Sequence, residues 1–238
     1  MADIADGHAV LDDAEWIKAR QALLEEEKAF CKARMALAAK RQALPWRKVK
    51  DYEFDTAEGK RKLSSLFREG GPRDLIIYHM MMGKDATAGC KSCSFFLDGW
   101  NGALPHILPR INVAAVAAAA PAKINAVGAA KGWGFPMLSS GESGFNEDFG
   151  VSFTAEQLAS GEGGDYNYGR KWKFGSQAPG LSVFHKAENG DVFHSYSTFA
   201  AGLSEVNVTF SLLDLIPEGR NERPNNRPMY WVKHKSEY

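Results

Sequence analysis

The sequence predicts an α/β fold: a central mixed sheet flanked by helices, with a long N-terminal helix and a C-terminal extension added. Three observations predict it. Buried-strand runs alternate with helical stretches through residues 75–139, in the order strand, helix, strand, helix, strand, as parallel crossover units require. A Cys-x-x-Cys, Cys90-Lys91-Ser92-Cys93, stands between the first of those strands and its helix. Further on, Asn189-Gly190 separates two β-like runs, a strong hairpin signal.

In chain order, Asp12-Asp13-Ala14-Glu15 reads as a capped helix start, with Glu three residues after an N-cap carboxylate. Trp16, Leu23, Phe30, Leu37 and Leu44 then recur seven apart on a long charged helix that ends before Pro45. So narrow a stripe fits packing on the chain's own domain and a homodimer contact equally well. Residues 46–54 read as a strand, Ala57 to Lys60 as a polar turn, and Leu63, Leu66 and Phe67 as a short amphipathic helix stopped by Gly70-Gly71-Pro72.

Leu75 to Met82 is apolar except for His79, as expected of a central strand covered on both faces. A helix follows from Cys90 to about Leu108, with a kink expected at Pro105. Ile111 to Ala119 is a second buried strand, Pro121 to Lys131 a helix with proline in its first turn, and Phe135 to Ser139 a short strand. Residues 161–177, rich in glycine and aromatics without a period, read as a long loop over a site. Leu181 to His185 and Asp191 to Tyr196 form the hairpin, with a type I′ turn expected at Asn189-Gly190. A closing helix spans Phe199 to Leu213, and an extended tail begins at Pro217, docked by Tyr230, Trp231 or Tyr238. The expected organisation is therefore a helical extension over 1–45, a main domain over 46–216 and a tail over 217–238.

Composition limits the function classes. The 29 basic and 29 acidic side chains leave no net charge, which argues against nucleic acid or an anionic membrane as the main partner. No stretch approaches the roughly 18 apolar residues of a membrane span. The acidic first residues do not read as a signal peptide, and three cysteines, two of them in one motif, make no secreted disulfide framework. The expected location is a reducing cytoplasm.

The chemistry lies in the two thiols. On a helix, positions three apart share a face and lie within disulfide reach. Cys90, nearest the helix N-terminus, feels the positive end of the dipole and is the expected nucleophile; Cys93, one turn inside, is the resolver. Lys91 adds a cation that favours the thiolate, and Gly83 and Gly89 let the loop turn into the helix. Half of a zinc site and a pair of inert packing cysteines are the competing readings. Zinc needs further ligands from Cys31, His79, His106, His185 or His194, none at finger spacing, so no metal or other cofactor is expected. His79 reads as a hydrogen-bonded core residue and His106 as a helix-terminal cation.

Ala178-Pro179-Gly180 precedes the hairpin, where a dithiol site can present a backbone edge to an extended substrate segment. Pro179 is the expected edge residue, with cis and trans bonds both open.

The strings YHMMMGKDATAGCKSCSFFLDGWNGALPHI, GWGFPMLSS, FNEDFGVSF, APGLSVFHK, FHSYSTF and LLDLIPEGR carry a further signal. Through them the chain resembles, over nearly its whole length, the domain-of-unknown-function 899 proteins. That family is described as predicted dithiol–disulfide oxidoreductases of the thioredoxin-like superfamily. The resemblance implies a thioredoxin-like fold with extra segments, and Cys90 and Cys93 as the redox pair. It names no substrate. Inside the motif, Lys91-Ser92 replaces the Gly-Pro of thioredoxin proper, and no tryptophan precedes Cys90.

The functional expectation is a thiol–disulfide oxidoreductase acting on a protein or small-molecule thiol or disulfide, with Asp98, Asn101 and the 161–177 loop shaping access. The alternatives are a peroxiredoxin-like thiol peroxidase and a non-catalytic thioredoxin-fold interaction module. Thr87, three residues before Cys90, supports the peroxidase; Gly83, where that site carries a proline, weakens it.

Overall fold

The computed structural model describes residues 3–222 and 228–238. The chain divides into two compact units, residues 1–45 and 46–238.

In the first unit a small antiparallel pair, β1 (Asp3–Ala5) and β2 (His8–Val10), leads into α1 (Asp13–Gln42). The helix starts where the carboxylate of Asp12 accepts the Glu15 N–H at 2.9 Å. Such a cap contributes about 1 kcal/mol. α1 buries none of its residues, and the stripe of Trp16, Leu23, Phe30, Leu37 and Leu44 is exposed throughout.

The second unit is built on one sheet. Its elements are β3 (Arg47–Lys48), β4 (Glu53–Thr56), β5 (Gly59–Lys62), β6 (Asp74–His79), α2 (Lys91–Ile107), β7 (Asn112–Ala117), α3 (Pro121–Lys131) and β8 (Met137–Ser139). Then come α4 (Phe145–Asp148), α5 (Ala155–Ala159), the separate hairpin β9 (Gly164–Tyr166) and β10 (Arg170–Trp172), β11 (Gly180–Lys186), β12 (Val192–Phe199) and α6 (Val208–Leu213). The sheet order is β3-β12-β11-β6-β7-β8-β4-β5, with β6, β7 and β8 parallel and the other pairings antiparallel. A parallel β6–α2–β7 unit carrying the antiparallel hairpin β11–β12 on the other side of β6 is the thioredoxin-like arrangement. β8 and the β4–β5 pair extend it on one edge and β3 on the other.

The period of two explains how unbroken apolar runs make this sheet. Leu75 and Ile77 enter one core with Ala114, Val116, Phe145 and Phe184. Tyr78, Val113, Ala115 and Ala117 enter the other, with Cys93, Phe96 and Leu97 of α2. Both faces are covered, so both parities are apolar. α2 runs on through Pro105, and the Leu108 N–H still reaches the Leu104 carbonyl at 2.9 Å.

Several expectations are corrected. The strand read over 46–54 is two strands on opposite sides of the sheet, β3 beside β12 and β4 beside β8; the charged Lys50-Asp51 stretch between them joins neither. The short helix at Leu63–Leu66 is a 3-10 turn. The stretch 161–177 holds the β9–β10 hairpin. At the β11–β12 connection only Gly190 has positive φ (88°), and its N–H bonds the Ala187 carbonyl at 3.0 Å. That is a turn over Glu188 and Asn189 followed by a left-handed glycine, not the expected type I′ turn. The closing helix over 199–213 breaks at Asn207, whose side-chain carbonyl caps α6 by accepting the Thr209 and Phe210 N–H groups at 3.0 and 3.2 Å. The tail consists of turns and a 3-10 segment (Lys235–Glu237) instead of extended chain, and the part over 223–227 lies outside the described residues. Trp231 docks it, its ring 5.6 Å from that of Phe95.

Candidate active site

The two cysteines owe their places to β6 and to the start of α2. After His79 the chain continues as Met80-Met81-Met82. The Met81 carbonyl accepts the Cys90 N–H at 3.1 Å, and the Met81 N–H donates to Cys93 Sγ at 3.4 Å. One residue at the end of the central strand thus holds both ends of the motif. Gly89 leaves room for the Met80 side chain, since a Cβ there would lie 2.2 Å from the Met80 methyl carbon and push it aside. Neither Gly83 nor Gly89 has positive φ, so the sharp turn expected of them is not the reason for glycine.

Cys90 is the N-cap residue of α2 and is partly exposed, whereas Cys93 is 1% exposed and packs in the core. Both are free thiols. Their electrostatics differ in the same sense. The Cys93 thiol donates to the Cys90 sulfur, and with further donors from the Cys93 and Ser92 backbone it lowers Cys90 to about 6 against the pull of burial. Burial holds Cys93 well above the ordinary thiol range, and its contact with Cys90 pushes it the same way. At neutral pH the pair is one thiolate and one thiol that hydrogen-bonds to it. The alkylation rate of Cys90 by a neutral electrophile should accordingly rise with pH around a midpoint near 6. Cys93→Ala, which removes the strongest of these donors, should move that midpoint up by more than one unit; an unmoved midpoint would show that Cys93 is not the cause.

Lys91 is exposed at the first position of α2, and the groups that lower Cys90 are those of Cys93 and Ser92. Thr87 is exposed and lines a groove with Lys123, Lys131 and His234. Asp98 and Asn101 do not shape the entrance. Asp98 accepts the Trp133 indole N–H at 2.8 Å, and Asn101 bonds the Gly132 carbonyl and Gly134 N–H at 3.1 and 2.8 Å, so both tie α2 to the turn after α3. His79 is a core residue, 1% exposed, with Nε2 2.7 Å from the Ser182 hydroxyl. His106 sits in the last turn of α2. Among the described residues no group of three His, Cys, Asp or Glu is placed to hold a metal, and no helix is long and apolar enough to cross a membrane.

Beside Cys93 opens a cavity of about 400 Å³, walled by Tyr78, Met81, Phe96, Pro179, Leu203 and Phe210. Pro179 therefore does stand at the site, through a trans bond. Its surroundings correct the expectation of a free edge. Residues 151–153 pair antiparallel with 176–178: the Phe153 N–H donates to the Ser176 carbonyl at 3.0 Å, the Ala178 N–H to the Val151 carbonyl at 2.9 Å, and Ser152 bridges Gln177. The Tyr166 hydroxyl donates to the Pro179 carbonyl at 2.7 Å, and the Tyr166 oxygen in turn accepts the Ala200 N–H at 3.0 Å. Sequence reasoning missed Tyr78 and Tyr166. Tyr78 could have been found by parity, since it alternates with His79 and must point to the α2 face; Tyr166, in an aperiodic stretch, carried no signal.

No curated protein matches the chain. Among solved structures it is similar to peroxiredoxin Q of Xanthomonas campestris, with 13% identity over 68% of this chain and 89% of that one and a TM-score of 0.41. It is also similar to the peroxidoxin BcpB of Mycobacterium tuberculosis, with 12% identity over 71% and 97% and a TM-score of 0.47. At that level the fold assignment rests on the strand order described above. The family-level match is of another kind and runs over residues 5–238; the chain belongs to the bacterial proteins of unknown function DUF899.

Proposed function

We propose that this protein is a dithiol–disulfide oxidoreductase in which Cys90 attacks and Cys93 resolves. The observation that carries the reading is the asymmetry of the pair: a partly exposed sulfur held near pKa 6 beside a buried one held protonated. The Cys90 thiolate attacks one sulfur of a substrate disulfide, forming a mixed disulfide and releasing the other half as a thiolate. Cys93 then loses its proton to a departing sulfur and attacks Cys90 Sγ. The second half leaves, and the protein keeps a Cys90–Cys93 disulfide. Two electrons have passed from protein to substrate, and an external dithiol restores the pair. The sulfurs carry the electrons, so no cofactor enters the scheme, and a reducing cytoplasm suits a protein that must be recharged by thiols.

The test is turnover with an excess of dithiothreitol. A small disulfide should be reduced at a rate proportional to enzyme, and hydrogen peroxide should be consumed far more slowly. Rapid peroxide consumption would instead favour the peroxidase, and activity on neither would leave the non-catalytic module. Lys91 and Thr87 enter this reading only as supporting residues, Lys91 as a nearby cation and Thr87 as a wall of the approach to the α2 N-terminus.

We read the exposed stripe of α1 as the contact for a second copy of the chain, as its seven-residue spacing suggests. The full-length protein should sediment as a dimer and Phe30→Glu as a monomer; a wild-type monomer at micromolar concentration would sink this part.

A further inference from the structure

We infer that the substrate is a small disulfide bearing an uncharged apolar group, which the cavity beside Cys93 holds, and not an extended polypeptide; this rests on the oxidoreductase reading above. Two independent features carry it. The first is that backbone groups on either side of Gln177, and the Pro179 carbonyl, are already hydrogen-bonded within the chain. An extended substrate segment gains affinity by adding a strand, which needs free N–H and carbonyl groups on the receiving edge. Here the chain's own residues 151–153 use the Ser176 carbonyl and the Ala178 N–H, and Tyr166 uses the Pro179 carbonyl. Proline has no N–H to offer. The neighbouring strand β11 is paired on both sides, by β6 and β12.

The second feature is the cavity. At about 400 Å³ it falls in the size range of small-molecule sites. Its wall is formed by side chains of the α2 core, Tyr78, Phe96, Leu203 and Phe210 among them, and Ser92 and Cys93 bring the motif into it. Among the described residues, the charged groups at its rim, Arg220 and Glu222, have partners of their own. Arg220 lies over the Phe210 ring and binds Asp214 through Nε at 2.7 Å and Nη2 at 2.5 Å. Glu222 accepts the Met229 N–H at 2.6 Å. A carboxylate-bearing disulfide would meet the Glu222 carboxylate, whereas an alkyl or aryl group would exchange water for apolar contact. In the reaction the apolar group R stays on the sulfur bound to Cys90, in line with and opposite to the incoming Cys93 sulfur. The attack of Cys93 on Cys90 Sγ then releases it as R–S⁻, which takes up the proton that Cys93 gives up.

The experiment compares kcat/KM for four disulfides with dithiothreitol as reductant: bis(2-hydroxyethyl) disulfide, di-n-butyl disulfide, glutathione disulfide and insulin. The butyl compound should exceed the hydroxyethyl compound at least tenfold and glutathione disulfide by more. Insulin should be reduced no faster than by dithiothreitol alone. Ala201→Trp, which puts a large ring into the cavity from an exposed position, should cut the butyl advantage at least fivefold, chiefly through KM. Turnover of the hydroxyethyl compound with no butyl preference, or with insulin preferred, would overturn the inference and leave the oxidoreductase reading standing. No turnover of any of the four would overturn both.

Discussion

Cys90→Ser will abolish disulfide turnover, with a loss of roughly a thousandfold or more, the scale on which removal of a nucleophile acts. Serine keeps the N-cap position and the size of the side chain, but its hydroxyl does not ionise near neutral pH, so nothing remains to attack sulfur. Folding should be unaffected, since Cys90 makes its structural bonds through its backbone, with the N–H on Met81 and the carbonyl on Ser94. Cys93→Ser should behave differently. The serine hydroxyl can still donate to Cys90, so the first step survives and the second cannot occur. A mixed disulfide should accumulate to one equivalent per chain, visible as the added mass of half the substrate. A Cys90→Ser protein with substantial turnover, or a Cys93→Ser protein that cycles normally, would remove these residues from the roles given to them.

The second large effect is on stability in acid. His79 is fully buried against the adjoining rings of Phe145 and Phe149, at 5.4 and 5.7 Å, and burial lowers it to about 3. It heads a hydrogen-bonded chain through Ser182 and Ser197 to His194, in which successive contacts are 2.7, 2.8 and 2.7 Å. His194 is lowered to about 4, first by burial and then by Arg47. Both imidazoles have lower pKa values folded than unfolded. Between pH 6.5 and these values the unfolded chain therefore binds more protons, and stability rises with pH across that window and levels off above it. At about 1.4 kcal/mol per unit, His79 alone makes this on the order of 4 kcal/mol between pH 6.5 and 3, with a smaller share from the less buried His194. Urea midpoints should fall steeply from pH 7 to pH 4.5. In His79→Gln, less stable at pH 7 but unable to gain that proton, the fall should be much shallower. Equal slopes in the two proteins would mean that His79 is not the titrating group.

The parts of this protein that were legible in its sequence are those with long, self-consistent local signals. β6 and β7 announce themselves because a strand covered on both faces is apolar at both parities, and α3 because Pro121 opens it and Gly132, in the left-handed conformation, ends it. The hairpin was readable from Asn189-Gly190, though not its turn type, since a left-handed glycine can close a type I turn as well as a type I′ turn. The cysteines were readable because a Cys-x-x-Cys between a buried strand and a helix has few other uses. What escaped depends on contacts between short, distant segments. The pairing of residues 151–153 with 176–178 involves a single bridge, too short for any period, yet it decides what Pro179 can offer a substrate. Asp98 and Asn101 share a helix with Cys93, but only the path of the turn after α3 determines that they face Trp133 and Gly134 instead of the entrance.

The most direct measurement takes fully reduced protein, adds one equivalent of a small disulfide, quenches in acid and maps the cysteines by mass spectrometry. The account predicts an internal Cys90–Cys93 bond, two protein hydrogens lost, two substrate thiols released and Cys31 still free. Persistence of both thiols, or a stable adduct on Cys90 that Cys93 never displaces, would contradict it.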